Sequence, residues 1–259
     1  MKWFWLTFAA LLAASPANAE TAPELNANQV VARVLESDPW GLNGAEIKAQ
    51  VTLTDKRGSV RRLSFFAVSK IHDPPLTKSI VRFLSPPDLN GAGFLQIQHQ
   101  DREDDRYLFL PALKRARRIS GNLRANAFMG TDFSFADLDR RDMRDSHATL
   151  LASEKIGSLP CYVLDLFPQR SDAQYSQIQL WVRKDNFLML RTKMYDKAKV
   201  HLKTFEAREI RRVSRSWYIS KSLMTNHRNK HSTLLELQSI VANVQVPDEE
   251  FSVRALERP

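Results

Sequence analysis

Hydrophobic and polar residues alternate with a period of two along most of the chain beyond residue 44. Ile47, Val51 and Leu53, for example, alternate with Lys48 and Thr52. Such alternation is typical of β-strands that bury one face and expose the other. Comparable runs, separated by polar turns, lie at residues 63–67, 79–84, 94–99, 107–110, 161–167, 177–184, 188–195, 199–210, 216–223 and 232–241.

The run at 177–184 shows how the two faces of a strand differ. Ile178, Leu180 and Val182 share one face, which we expect to be buried. Trp181 lies on the other face, between polar neighbours. The sequence therefore predicts an outer sheet face that is mainly polar but carries aromatic side chains.

Helical periodicity is confined to the two ends of the mature chain. Residues 27–38 place valine and leucine at helical spacing, and Asn26 or Asn28 is available as the N-cap. A second, short helix is predicted near the carboxyl terminus, beginning at Pro247–Phe251, with Leu256 as an apolar contact.

The succession of strands indicates the fold class. The chain contains about 10–11 predicted strands and no long crossover connection. We therefore predict a mainly β (α+β) fold built on one large, curved antiparallel sheet or barrel, in preference to a sandwich. No linker or repeat divides the chain, so residues 20–259 are predicted to form a single domain. Periodicity alone leaves open whether the apolar face encloses a packed core or an open cavity.

Residues 1–19 have the layout of a secretory signal peptide. Lys2 precedes an apolar run over residues 3–14, and Ala17–Ala19 supplies small residues before a cleavage site. The alternative is a membrane anchor, but the run is shorter than the roughly 20 residues of a spanning helix. We therefore predict that the leader is cleaved and that the mature protein is soluble and periplasmic in a Gram-negative host.

Cysteine content and charge narrow the classes of partner. Cys161 is the only cysteine, so the fold has no internal disulfide, and its apolar neighbours predict a buried side chain and not a nucleophile. The formal net charge is +9, and it falls by one when Lys2 leaves with the leader. A positive excess favours nucleic acid as a partner, but an exported protein meets anionic lipid head groups and acidic protein surfaces instead.

Residues 109–138 combine a basic strand with a bulky apolar loop, unlike an ordinary core segment. The cations are Lys114, Arg115, Arg117 and Arg118, and the apolar residues of the loop are Phe128, Met129, Phe133, Phe135 and Leu138. By itself this stretch fits a nucleic-acid binder, the mouth of a lipid-binding cavity or a protein-docking surface.

Three further residues shape that loop. Gly130 is predicted to form a bend. Asp132 and Asp137 could act as an acid and base pair, but such residues more often accept hydrogen bonds from local backbone N–H groups. We therefore predict that all three residues hold the loop in shape.

Known signatures of catalysis are not found in the sequence. It has no nucleophile elbow, Walker loop, dinucleotide fingerprint or His-Glu-x-x-His motif. His227 and His231 lie four residues apart in a polar turn, where a solvated loop is a better prediction than a metal site. The acidic residues of 101–105 lack the spacing of a calcium loop and predict a solvated hairpin tip. We therefore predict a protein that is not an enzyme and that has no metal or cofactor.

Four blocks of the sequence carry a resemblance to a known family. They are FLSPPDLNGAGFL (83–95), YLFLPALKRARRI (107–119), FMGTDFSFADL (128–138) and VPDEEFS (246–252). Together they resemble the outer membrane lipoprotein-sorting proteins, relatives of the periplasmic carrier LolA. The resemblance implies an incomplete, half-open β-barrel with helices over its concave apolar side. It also implies a role in carrying or sensing lipid or acyl groups, with an inner-membrane exporter of the resistance-nodulation-division (RND) type as a partner.

Two functional hypotheses follow. In the first, the protein is a carrier of lipid or lipoprotein acyl chains, since burying an acyl chain stabilises it by about 0.8 kcal/mol per CH2 without a precise polar site. The apolar loop residues would then form the mouth of the cavity, and the four cations would contact head groups or a docking surface. In the second, the protein is an accessory of an exporter and its own side chains fill the cavity. Neither involves nucleic acid, and both require only transient membrane contact.

Overall fold

The computed structural model describes residues 25–36, 44–74, 76–138, 141–213 and 216–258. The predicted leader lies outside these ranges. Within them the chain forms one antiparallel sheet of 13 strands and a few short helices, which confirms the predicted fold class. The predicted number of 10–11 strands was too low.

The strands follow one another along almost the whole chain. They are β1 (Ala45–Thr54), β2 (Val60–Asp73), β3 (Leu76–Ser85), β4 (Gly93–Ile97), β5 (Asp105–Leu110), β6 (Arg115–Arg118), β7 (Ser146–Ile156), β8 (Leu159–Pro168), β9 (Gln177–Arg183), β10 (Met189–Tyr195), β11 (His201–Val213), β12 (Ser216–Asn226) and β13 (His231–Ala242). The described α-helices are α1 (Ala27–Glu36), α2 (Arg141–Arg144) and α3 (Val253–Leu256). Short 3-10 turns lie at Pro111–Leu113, Gly121–Ala125 and Asp248–Glu250.

The sheet consists of two meanders joined at a single seam. Strands β1 to β6 pair in sequence order, and so do strands β7 to β13. Strand β1 then pairs with β13, with Val51 opposite Leu235 and Ala49 opposite Leu237. Strands β6 and β7 are the two edges, so the sheet is open.

One side of the sheet, which we call the covered face, carries most of the core. In β1 every second residue from Ala45 to Leu53 is buried on this side. The pairing continues the same side through Phe83 of β3 and Phe94 of β4, and in the second meander through Leu164 of β8. Helix α1 and the segment 119–138 both lie on this face.

Helix α1 is set by a reciprocal cap and an apolar stripe. The Gln29 N–H donates to Asn26 Oδ1 at 3.0 Å, and the Asn26 N–H donates to Gln29 Oε1 at 2.9 Å. This confirms Asn26 as the N-cap. Val30, Val31 and Val34 are buried against the strand residues Leu164, Leu166, Leu180 and Val182. The helix therefore connects the amino-terminal end of the chain to the second meander.

The opposite face carries two further apolar clusters, one beneath α3 and one around Trp181. Helix α3 packs on β3, β4 and β5 there, with Leu256 fully buried against Leu95 and Phe109. The terminal helix begins at Val253 behind an Ser252 cap, later than predicted, and it does not cover the same face as α1.

Trp181 lies on the face opposite Leu180, as predicted, but the prediction that this face is mainly polar was wrong around Trp181. It is buried against Leu188 and Leu190, in a cluster that also contains the buried thiol of Cys161. The predicted burial of Cys161 is confirmed, and burial raises the pKa of its thiol. None of the helices described here is long and apolar enough to cross a membrane.

Candidate functional site

The basic strand is the edge strand β6, and its cations do not form a single patch. Arg117 lies opposite Leu108 and Arg115 opposite Leu110, so both side chains are on the side of the covered face. Arg118 is on the other side, where its Nη2 lies 3.1 Å from Asp105 Oδ1. All four predicted cations, Lys114, Arg115, Arg117 and Arg118, are exposed.

The apolar loop is a small β-hairpin, residues 127–134, which we call the hairpin. Ala127 and Ser134 form a bridge, and the Phe128 N–H donates to the Phe133 carbonyl at 2.7 Å. The Thr131 N–H donates to the Phe128 carbonyl at 2.9 Å across Met129 and Gly130, which have φ angles of 52° and 78°. Two central residues with positive φ define a type I′ turn, so Gly130 lies at the bend as predicted.

The aromatic side chains of this segment pack on the protein's own covered face. The Phe128 ring lies 5.1 Å from Phe94, 5.5 Å from Phe135 and 5.9 Å from Phe83, between ring centroids. Met129 joins Phe128 over Phe83, and Leu138 joins the Phe94 and Phe135 cluster. Phe133 points the other way, with its ring 6.4 Å from Phe205 on β11. In this conformation the side chains of the hairpin cover the apolar surface of the sheet beneath them.

Asp132 anchors the hairpin to β13. Its backbone N–H donates to Thr233 Oγ1 at 2.9 Å, and its Oδ2 accepts from the same hydroxyl at 2.7 Å. The Nδ1 atom of His231 lies 2.7 Å from Asp132 Oδ2. His231 is therefore half-buried against the hairpin. The prediction that it lies in a solvated loop was wrong.

Asp137 anchors the far end of the segment in a buried polar cluster. Its carboxylate accepts from the Ser134 N–H at 2.7 Å, from the Tyr175 hydroxyl at 2.5 Å and from Lys203 Nζ at 3.0 Å. The Asp137 and Lys203 side chains are only 5% and 7% exposed. Burial, and then the Asp137 carboxylate, raise the pKa of Tyr175 well above its usual value. Both acids thus lie where they structure the loop.

A cavity of about 830 Å³ lies on the other side of the hairpin. It is bounded by the β1–β2 turn, the β12–β13 turn and the start of β11. Its lining is mostly polar or charged and consists of Asp55, Lys56, Ala125, Ala127, Gly130, Thr131, Asp132, Ser134, Gln174, Leu202, Lys203, Asn226, Arg228, Asn229, Lys230 and His231. This differs from the open apolar cavity that was one of the two expectations.

The remaining candidate metal groups are engaged in contacts within the protein. Asp104, predicted at a solvated hairpin tip, is buried and accepts from Arg106 Nη2 at 2.7 Å. The His227 ring lies against the His201 ring at a tilt of 44°, with 4.3 Å between ring centroids, and Thr204 Oγ1 lies within hydrogen-bond distance of both rings. Across the described ranges no group of three or more His, Cys, Asp or Glu residues could hold a metal ion.

Comparison with known proteins identifies the family. A family model described as an uncharacterized protein matches residues 76–258, more than half of the chain, and the chain belongs to that family. The search of curated proteins found no match to this chain.

Solved structures identify the fold. A domain from Vibrio parahaemolyticus, assigned to the outer membrane lipoprotein-sorting proteins, has a TM-score of 0.82 at 24% identity, over 90% of this chain and 98% of its own. A DUF1329 family protein from Desulfovibrio piger has a TM-score of 0.82 at 26% identity, over 88% and 97%. A LolA superfamily protein from Nitrosomonas europaea has a TM-score of 0.69 at 19% identity, over 88% and 98%. The chain therefore has the LolA-like fold, as the resemblance implied.

Proposed function

We propose that this protein is a non-enzymatic periplasmic carrier. It binds lipid or lipoprotein acyl chains on the covered face and shuttles them toward the outer membrane, with an RND-type exporter as its partner. The LolA-like fold and the similarity to the Vibrio parahaemolyticus domain support this class of function.

The observation that carries the proposal is the way in which the covered face is closed. Over β1 to β4 it is covered by the hairpin, which contributes flexible Met129 and half-buried Phe128. Methionine, with its flexible thioether side chain, adapts to apolar partners of different shapes at small cost. Lifting the hairpin would expose Val51, Leu63 and Phe83 as one apolar surface on which an acyl chain can replace the hairpin side chains.

The hairpin also favours a second function, an accessory protein of an exporter. The rings of Phe128 and Phe135 already occupy the covered face and contact each other and Phe94. In this alternative the hairpin never leaves the sheet, and the protein acts through its surface alone.

A reversible cross-link separates the two functions. Asp132 and Thr233 are in contact through two hydrogen bonds, so the variant Asp132→Cys/Thr233→Cys places two thiols within reach of a disulfide. Uptake of a fluorescent fatty acid is measured before and after reduction. If the carrier proposal is right, the oxidised variant takes up little probe, and reduction of its disulfide restores uptake.

The matched control joins β13 to β12 without touching the hairpin. Lys221 and Glu236 are directly paired residues, so Lys221→Cys/Glu236→Cys places a disulfide in the same part of the sheet. Its uptake should be equal in both redox states. Absence of uptake by the wild-type protein would favour the accessory function. Equal uptake by the oxidised and reduced hairpin variant would show that the hairpin does not guard the binding surface.

A further inference from the structure

The polar cavity beside the hairpin is assembled by strand pairing. Thr54 at the end of β1 is paired with Ser232 at the start of β13, so the β1–β2 turn lies next to the β12–β13 turn. Lys203 at the start of β11 is paired with Asn226 at the end of β12. Four strands therefore end together, and the hairpin closes the remaining side through Asp132.

Cations outnumber acids among the lining side chains. The lining contains four cations, Lys56, Lys203, Arg228 and Lys230, and two acids, Asp55 and Asp132, together with His231. The two acids are already engaged. Asp55 accepts from the Arg57 and Ser59 N–H groups at 2.8 Å and 2.9 Å, and Asp132 is held by Thr233 and His231.

Two of the four cations have no acidic partner within the described ranges. Lys203 is paired with Asp137, and Arg228 is paired with Asp196. Lys56 and Lys230 form no ion pair with any residue in the part of the chain that the structure describes. Each stands in a tight turn at the rim of the cavity, on opposite sides of the β1–β13 seam. The cavity therefore has two uncompensated positive charges and several hydroxyl and amide groups around one space.

The same space borders an apolar cluster. Leu202 lines the cavity and also packs in the cluster of Met194, Met224 and Phe205 that receives Phe133. At about 830 Å³ the cavity is in the range of small-molecule sites and far larger than a single phosphate ion requires. A cationic space that adjoins an apolar cluster matches the two halves of an amphiphile.

We propose that this cavity binds the phosphate group of an anionic amphiphile, with Lys56 and Lys230 as the cations that contact the phosphate. The proposal rests on the proposed function, because it names the head group that accompanies an acyl chain on the covered face. It places the head-group site away from the four cations of residues 114–118, which were predicted for that role.

The test compares three probes by titration calorimetry at constant ionic strength. They are short-chain phosphatidic acid, phosphatidylcholine with the same chains, and inorganic phosphate. The variant Lys56→Gln/Lys230→Gln removes both cations, and since both side chains are exposed the fold should be kept. We expect it to bind phosphatidic acid about tenfold or more weakly than wild type, because charge-assisted hydrogen bonds are lost. Its binding of phosphatidylcholine should weaken less, because the choline cation already balances the charge of that lipid's phosphate.

The control Lys155→Gln/Lys197→Gln removes two equally exposed lysines outside the cavity and should bind all probes as wild type does. If inorganic phosphate binds as tightly as phosphatidic acid and shows the same loss, the site is confirmed and its ligand is the free ion. Unchanged binding of phosphatidic acid by the cavity variant overturns the proposal. If phosphatidylcholine still binds in that case, the carrier function stands and only the head-group site fails.

Discussion

At the scale of single residues, the buried pair of Lys203 and Asp137 is the most consequential interaction of the hairpin segment. Both side chains are less than a tenth exposed, and Asp137 joins the hairpin segment to β11 and to Tyr175. We expect Lys203→Met to lower the free energy of unfolding by about 3 kcal/mol, because it leaves a buried carboxylate without its cation. Urea unfolding at neutral pH measures the change.

The control for this prediction is a more exposed pair in the same sheet. Lys221 and Glu236 are 2.6 Å apart, with side chains 37% and 30% exposed, so Lys221→Met should cost about 1 kcal/mol or less. Adding Asp137→Asn to Lys203→Met should recover part of the loss, since it removes the uncompensated charge. Equal costs for the two lysine substitutions would contradict the assigned importance of the buried pair.

Asp105 gives the fold a dependence on acid pH. Hydrogen bonds from Arg102, and then from His99, lower the pKa of Asp105 to about 2, against an unfolded value of about 3.9. The stabilisation is therefore fully present above pH 4 or so and is lost as the pH falls from about 4 to about 2. Asp105→Asn should be less stable than wild type by about 1–2 kcal/mol at pH 7, and the difference should shrink across that window.

Urea midpoints at pH 7, 4 and 2.5 would check the dependence. Asp101→Asn, at an exposed position in the same turn, should match wild type throughout. A difference between Asp105→Asn and wild type that stays constant down to pH 2.5 would rule out the linkage to this carboxylate.

The sequence indicates the residues of the hairpin segment but not the residues that contact it. The aromatic, glycine and acidic residues of 128–138 stand out locally, because they interrupt the alternation of the strands. Their partners Tyr175, Lys203 and His231 come from distant strands and turns, and no local pattern connects them to the hairpin. The position of Lys203 in its strand was the one local indication of such a partner. Lys203 has the same strand parity as Phe205, so alternation alone would have placed this lysine on the apolar side.

At the scale of elements, helix α3 packs closely on β4 at a glycine. A Cβ atom at Gly93 would lie 2.7 Å from Leu256 Cδ1, so any side chain there would force the buried Leu256 side chain to shift. Leu256→Ala should cost about 3 kcal/mol of unfolding free energy, since Leu256 is fully buried against Leu95 and Phe109. Arg254→Ala on the exposed side of the same helix should have little effect, and similar losses for both would argue against this packing.

Elements with clear alternation were predicted well, and so was the basic edge strand β6, but the edge strand β7 was not. Strands β8 to β13 were recognised to within a few residues of their ends, because one face of each is apolar. Strand β7 was missed. Most of its side chains are exposed, and the few that pack on the core, Ala148, Leu150 and Ile156, do not follow one alternating pattern along the strand, so this edge strand shows little periodicity.

At the scale of the whole molecule, the seam between β1 and β13 closes the fold. Every other strand pairs with a neighbour in sequence, and such local pairings follow directly from a series of strands and turns. The seam joins the first strand to the last, and no periodicity indicates it. Helix α1 and the hairpin also contact the second meander, so these contacts and the seam connect the same two halves.

This architecture predicts that two separate chains can rebuild the molecule. Residues 20–138 and 139–259, expressed together, should associate and co-purify, because the seam, α1 and Phe133 of the hairpin each bury apolar surface between the halves. Leu235→Asp places a charge opposite Val51 within the seam and should abolish co-purification. Ser239→Asp adds the same charge at an exposed position of β13 and should not. Association that survives Leu235→Asp would mean that the other contacts suffice, and the seam would then be a consequence of the assembled fold and not what closes it.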